Sequence, residues 1–307
     1  MSAVAARLAG NRLHLQHGPI DVVIAADGTA AAVERAYAAA ARVFPDILPG
    51  LVTEVAVLRA PVGDWAKARH DRGGHDMLTS SVQGPTSVSQ LVRGPVAQRM
   101  VAAVWPYRDQ FITPMAAVAG AVAEAVLAAM IAAAPGLDRI IVNNGGDIAF
   151  HLADGRSVTA GIVADLAAPA IDATIRIGSD DVVRGIATSG WRGRSQSIGI
   201  ADAVTVLAST AAVADAAATM IANAVNVDDP AIQRRPAREI KVDSDLGEHL
   251  VTIAVGPVSV KARQAALKAG QKYAEVLVLN GRIAAACLSL QGETRVTGAI
   301  ERARLPG

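Results

Sequence analysis

ADAVTVLASTAAVADAAATMIANAV, residues 201–225, begins with the period of a strand and ends with that of a helix. Val204 and Val206 alternate, so Ala201 to Ala208 is expected to be extended with one face turned inward. Ser209 is a candidate N-cap for a helix from Thr210 to Val225. In that helix Asp215, Thr219 and Asn223 recur every fourth residue, which sets them in one stripe on one face. Nearly everything else in it is Ala, Val, Met or Ile, so burial on most sides is expected, and a buried aspartate is costly without a cation beside it. Carboxylate, hydroxyl and amide in line are three hard oxygen donors, which suits Mg²⁺. A guanidinium from Arg184, Arg192 or Arg194 would satisfy Asp215 as well, and the residues leave both open.

Two further polar runs precede this one. Asn143-Asn144-Gly145-Gly146-Asp147 follows a short β-branched strand, Arg139 to Val142. Paired glycines there favour a tight turn with positive dihedrals, and their amides can approach a phosphate or carboxylate closely. Taken alone, such a triplet is most simply a hairpin turn. Ala187-Thr188-Ser189-Gly190-Trp191-Arg192-Gly193-Arg194-Ser195 gathers hydroxyls, guanidiniums and glycines. Arginine forks match phosphate and carboxylate oxygens, and Trp191 is a surface on which a planar ring can stack. An anion site is expected here.

The background is apolar and small: 52% hydrophobic residues but 3% aromatic, which lets helices pack closely. The net charge of +1 comes from scattered groups, not the concentrated basic face that non-specific nucleic-acid binding needs. The single cysteine, Cys287, excludes a disulfide within the chain and fits a reducing cytosol, and no signal segment opens it. Pro114 to Pro135 is long enough to span a bilayer, but Glu124 near its middle argues for a buried helix without membrane contact.

The remaining elements follow from period and punctuation. Arg12 to Ala25 reads as a hairpin turning at His17-Gly18-Pro19, and Ala30 to Phe44 as a helix ending before Pro45. Val62 to Leu91, rich in Gly and Ser and holding His70 and His75, reads as a long loop able to act as a lid or contact a protein partner. A helix starts at Gly94, and another runs from an N-cap at Thr113 to about Gly136. Further strands are expected at Ile148 to Leu152, Gly161 to Val163 and Ala173 to Ile177. Val227 to Arg238 reads as a polar excursion. Val251 to Val260, Ala262 to Ala269 and Glu275 to Leu288 read as strand, helix and strand. Ala116 to Glu124 resembles Ala211 to Thr219, with Gly120 aligned to Asp215 and Glu124 to Thr219; Ala-rich helices align easily by chance, but a true duplication would imply two pseudo-equivalent halves with these helices packed together.

In order, Gly145-Gly146-Asp147, Ala187-Thr188-Ser189-Gly190, Val204-Thr205-Val206 and Ala214-Asp215-Ala216 with Thr219 resemble the motifs of the ApbE superfamily of FAD:protein FMN transferases. Phe111-Ile112-Thr113-Pro114-Met115 to Gly120, with Ser244-Asp245-Leu246-Gly247, is similar to an uncharacterised bacterial and archaeal branch of it. The resemblance implies one α+β domain over residues 1–307, formed of two intertwined lobes. Antiparallel sheets would pack on central Ala-rich helices, in a fold related to the tandem T-fold. It implies Mg²⁺ at Asp215 and Thr219. It also implies a pocket for FAD or FMN lined by Gly145, Gly146, Asp147, Thr188, Ser189 and Gly190; Asn144, Arg192 and Arg194, polar residues of the same two runs, are further ligand-binding candidates. It departs from the transferases where Ala119-Gly120 replaces their Lys-Gly pair, and where Ser197 to Asp202 replaces their histidine-containing segment. The expected function is binding of a phosphorylated or carboxylated small molecule, with a link to sulfur assimilation. FMN transfer and a non-enzymatic carrier or structural role are the alternatives. The expected setting is cytoplasmic, as a homodimer.

Overall fold

The computed structural model describes residues 2–65, 92–162 and 173–298. Residues 66–91, most of the long loop expected from sequence, lie outside them, as do residues 163–172. Nine strands form one antiparallel sheet in the order β1-β2-β3-β4-β5-β8-β9-β12-β13. In chain order the first five are β1 (Val4–Leu8), β2 (Arg12–His17), β3 (Ile20–Asp27), β4 (Arg139–Asn144) and β5 (Asp147–Leu152). The other four are β8 (Gly185–Ser189), β9 (Ala203–Ala208), β12 (Ala285–Leu290) and β13 (Glu293–Gly298). Strands β6 (Ser157–Ile162) and β7 (Ala173–Gly178) pair with each other, as do β10 (Ile232–Pro236) and β11 (Leu250–Val255).

Among the described residues the five long helices are α1 (Ala30–Thr53), α2 (Pro95–Val104), α3 (Val118–Ala133), α4 (Ala211–Ala224) and α5 (Val260–Leu279). Strand alternation decides which residues meet them. Ile140, Val142, Ala149, Ala187, Val204 and Val206 join the helices in the main core. Phe150, Ile186 and Leu207 face the other way, where Ile175 and Ile177 of β7 cover them and Ile141 and Ile148 pack alongside. Each large aliphatic side chain buried in this way contributes about 1.5–3 kcal/mol before conformational entropy is counted.

Pro114–Ala133 is the one helical stretch among the described residues long and apolar enough to cross a membrane. Its α3 portion packs against α1, α2, α4, β4 and β5 as a core helix. The first turn of α4 is pinched between two glycines. A Cβ on Gly120 would lie 2.3 Å from the Ala211 carbonyl oxygen, and one on Gly185 would lie 2.2 Å from the Ala211 nitrogen.

Several expectations are corrected. Helix α1 runs through Pro45 and Pro49 to Thr53, because Phe44, Ile47 and Leu51 continue its buried face and packing outweighs the broken backbone bonds. Thr210, not Ser209, caps α4, with its hydroxyl accepting from the Val213 amide. Thr113 caps nothing with its side chain and enters a 3-10 turn, Pro114–Ala117. Residues 227–238 hold β10 and no free excursion, and α5 is continuous through Leu279, so the last inner strand starts only at Ala285. The segments β2-β3-α1-α3-β4-β5 and β8-β9-α4-α5-β12-β13 share one order of strand and helix pairs. In that order α3 is a second helix and α4 a first, so the two helices that match in sequence do not occupy equivalent places.

Candidate functional site

A cavity of about 630 Å³ opens where the β4–β5 turn, the end of β8, the entry of α3 and one face of α4 converge under the β6–β7 ribbon. Gly145, Gly146, Asp147, Thr188, Ser189, Gly190, Arg192, Arg194, Asp215 and Thr219, all singled out from sequence, line it. Asn144 does not. Strand alternation turns it with Ile140 and Val142 toward the helices, where it is 5% exposed and donates to the Ala119 carbonyl at 3.0 Å. It holds a wall of the cavity from behind.

The polar end is built around two carboxylates. Asp147 Oδ1 accepts from the Thr188 amide at 3.2 Å. Desolvation raises its pKa to about 7, against the opposing effects of that hydrogen bond and of Arg194. Asp215 Oδ2 accepts from the Gly120 amide at 3.1 Å, and the Ala119 amide also supports this carboxylate. Its pKa is raised well above the usual range, first by desolvation and then by the neighbouring charge of Asp147. Asp215 therefore plugs the start of α3, and Glu124 of α3 accepts from the Ala212 amide of α4 at 2.7 Å. Each helix thus takes a carboxylate cap from the other at its first turn. Among the described residues no arginine forms an ion pair with Asp215; Arg184 and Arg192, two of the three candidates, are held elsewhere, by backbone carbonyls and by Asp202.

The donors sort themselves by what already holds them. Arg184 donates to the carbonyls of Ser179, Asp181 and Val183. Arg192 Nε donates to Asp202 Oδ1 at 2.9 Å and its guanidinium lies 4.8 Å over the Trp191 ring. The Trp191 indole N–H goes to the same carboxylate oxygen at 3.0 Å, so Trp191 is stacked internally and is not an open platform. The Gly146 amide donates to Asn143 Oδ1 at 2.8 Å, and so is not a free anion donor. Arg194 is exposed and packs on Gly145, whose φ of 64° and missing Cβ leave room for the guanidinium. Thr188 and Thr205 join hydroxyls at 2.9 Å beneath it.

The apolar end was missed in the sequence: Ile141, Ile148, Phe150 and Ile186 form its floor, and Val158 and Ala160 of β6 its roof. Its signal was present as alternation in residues 157–162 and 173–178, but periodicity does not say which face of which sheet a ribbon covers.

A family model described as "AbpE bacteria" matches residues 5–296. The chain belongs to this family. Among curated relatives of this AbpE family member, a UPF0280 protein of Methanopyrus kandleri is 40% identical over 172 residues, 55% of this chain and 66% of the relative. One from Methanothermobacter thermautotrophicus is 37% identical over 159 residues, 50% of this chain and 59% of its own. The matches span about half to two thirds of the length of these curated relatives. A crystal structure of the ApbE protein from Thermotoga maritima aligns over 98% of this chain and 96% of its own, with 14% identity and a TM-score of 0.45.

Proposed function

We propose that the cavity binds a small molecule with one anionic group and one flat apolar part, together with a divalent cation, and that a flavin nucleotide is such a molecule. The observation that carries this reading is the pair of desolvated carboxylates, Asp147 and Asp215, facing the same cavity as Arg194. Two like charges forced together out of water are relieved by a shared cation. The donor set fits Mg²⁺: the carboxylates of Asp147 and Asp215 and the Thr219 hydroxyl are hard oxygens on residues that line the cavity. Bound there, the cation would supply charge neutralisation and a template for the anionic group. Arg194 and Ser189 would bind the anion, and the apolar floor and roof would hold the ring and keep water away.

The test is titration with FMN and FAD, with and without Mg²⁺. Saturable binding that needs Mg²⁺ supports the reading; absence of binding to either flavin counts against the flavin form of it. Arg194→Ala is expected to weaken FMN binding by about ten- to a hundredfold, the range for a lost charge-assisted hydrogen bond. Arg192→Ala is expected to act less, because Asp202 already neutralises that guanidinium.

The raised carboxyl pKa values set a pH dependence. Both groups hold protons more tightly in the folded chain than in the unfolded one, so their contribution to the stability of the cation-free protein is greatest in acid. That contribution is lost as the pH rises through the folded value, about 7 for Asp147. Mg²⁺ must displace those protons. Its thermal stabilisation is therefore expected to be absent in acid and to grow above neutrality, as scanning fluorimetry across pH would record.

FMN transfer from FAD is the second reading, favoured by the ordered motif set. It requires AMP release on incubation with FAD, Mg²⁺ and a flavodoxin-like or quinone-reductase acceptor. At the place of the transferases' histidine-containing segment, Asp202 is engaged by Trp191, Arg192 and the Gln291 amide, and Ala119 stands where they carry lysine. Ligand binding without transfer is therefore the first reading. The metabolic context proposed for it is sulfur assimilation, tested by growth of a deletion strain on sulfide.

A further inference from the structure

Phe111-Ile112-Thr113 and Ser244-Asp245-Leu246-Gly247 lie outside the cavity lining, far apart in sequence, yet they meet. Thr113, 3% exposed, donates its hydroxyl to Asp245 Oδ2, and the Phe111 and His249 rings lie with centroids 3.8 Å apart, tilted by 41°. The adjacent Ser244 donates to Gln196 Oε1, and Gln196 Nε2 donates to the Ala237 carbonyl at 3.0 Å. The segment is folded on itself, with the Leu246 amide donating to Ser244 Oγ at 3.2 Å. Two neighbouring side chains thus hold the segments that lead to two different walls of the cavity. Thr113 leads through the 3-10 turn to Ala119, and Gln196 directly follows Arg194-Ser195; Ala119, Arg194 and Ser195 all line the cavity.

The far anchors of the Arg194 loop are elsewhere. Asp202 holds Trp191 and Arg192, and Asn223 Oδ1 accepts from the Ile198 amide at 3.0 Å. Gly193, Arg194 and Ser195, between these anchors, are exposed. We propose that Ser244 and Asp245 are positioning residues that fix this tip against the entry of α3, so that the Arg194 guanidinium is set before a ligand arrives. This rests on the reading that Arg194 meets the ligand's anionic group. Ordering a loop and a long side chain in advance removes a cost that binding would otherwise carry.

The test compares FMN with riboflavin, which lacks the phosphate, both titrated with Mg²⁺ present. Ser244→Ala and Asp245→Ala are expected to weaken FMN binding about three- to tenfold, the worth of one neutral hydrogen bond, and to leave riboflavin unchanged. Ser244→Thr keeps the donor and Asp245→Asn keeps the acceptor, so both should restore FMN affinity. Unchanged FMN binding, or equal losses for the two flavins, overturns the proposal. If the wild-type chain binds neither flavin, the reading of the cavity fails first, and amide hydrogen exchange then decides this inference. Faster exchange at residues 193–197 in Ser244→Ala, with β4 unaltered, supports it, and unchanged exchange there overturns it.

Discussion

Asp215→Asn is expected to raise the thermal stability of the cation-free protein at alkaline pH while removing its response to Mg²⁺. The amide oxygen can still accept from the Gly120 and Ala119 amides, so the plug on α3 survives. What disappears is a charge that burial and Asp147 both disfavour. In the folded chain that charge forms only as the pH rises past the usual carboxylate range, and there its cost is felt. A gain of about 1 kcal/mol would move Tm by roughly 1.5 °C in a chain of 307 residues. Asp215→Ala should behave differently, losing the cap as well as the charge, and should destabilise the protein in acid, where the wild-type group is already neutral. Together the two variants separate the structural duty of Asp215 from its place in the cavity, and a stabilising substitution that empties a site is the signature of a residue kept for function. If Asp215→Asn instead lowers Tm at every pH and leaves the Mg²⁺ response intact, the carboxylate is a structural acceptor alone.

Gly120→Ala should be among the most damaging single changes in the chain. Two effects oppose each other. Alanine in a helix interior gains about 1 kcal/mol over glycine. Against this, the new Cβ would sit 2.3 Å from the Ala211 carbonyl oxygen, 2.4 Å from its carbon and 2.6 Å from the Ala212 nitrogen. These are backbone atoms of α4, held from the other side by Gly185, and they cannot move aside as a side-chain tip would. The clash wins, with an expected loss of about 3 kcal/mol or more in urea unfolding. Separating the helices would also break both reciprocal caps, Asp215 to Gly120 and Glu124 to Ala212. Gly50→Ala supplies the contrast. It lies within α1, its Cβ meets nothing within 4 Å, and it should be neutral or stabilising by about 0.4–1 kcal/mol.

These expectations show what could be read from residues alone. The stripe on α4 was legible because helical geometry fixes which side chains share a face, and Asp215 and Thr219 do line one cavity. Asn223, the third member, turned out to hold the Ile198 amide, since periodicity places a residue on a face without naming its partner. Asn144 was assigned to the cavity from its neighbours in a motif, although alternation with Ile140 and Val142 turns it toward the helices, where it donates to the Ala119 carbonyl. Arg192 and Trp191 looked like ligand donors because Asp202, their partner, is ten residues away across a loop and no local pattern joins them. The reciprocal capping of α3 and α4 was equally out of reach, being a contact between helices about ninety residues apart in the chain. The β2–β3 and β4–β5 hairpins, by contrast, were legible from their turn residues and alternation, whereas the β3–β4, β5–β8 and β9–β12 pairings join strands far apart in the chain and no local pattern announces them.

The most direct measurement is calorimetric titration of the full chain with FMN at alkaline pH, with Mg²⁺ present and then removed, repeated on Arg194→Ala and Asp215→Asn. Saturable single-site binding that requires Mg²⁺, and is lost or strongly weakened in both variants, is the predicted result. Binding that is indifferent to Mg²⁺ and unchanged in both variants would place the ligand outside the Asp147–Asp215–Arg194 cavity and contradict the proposed function.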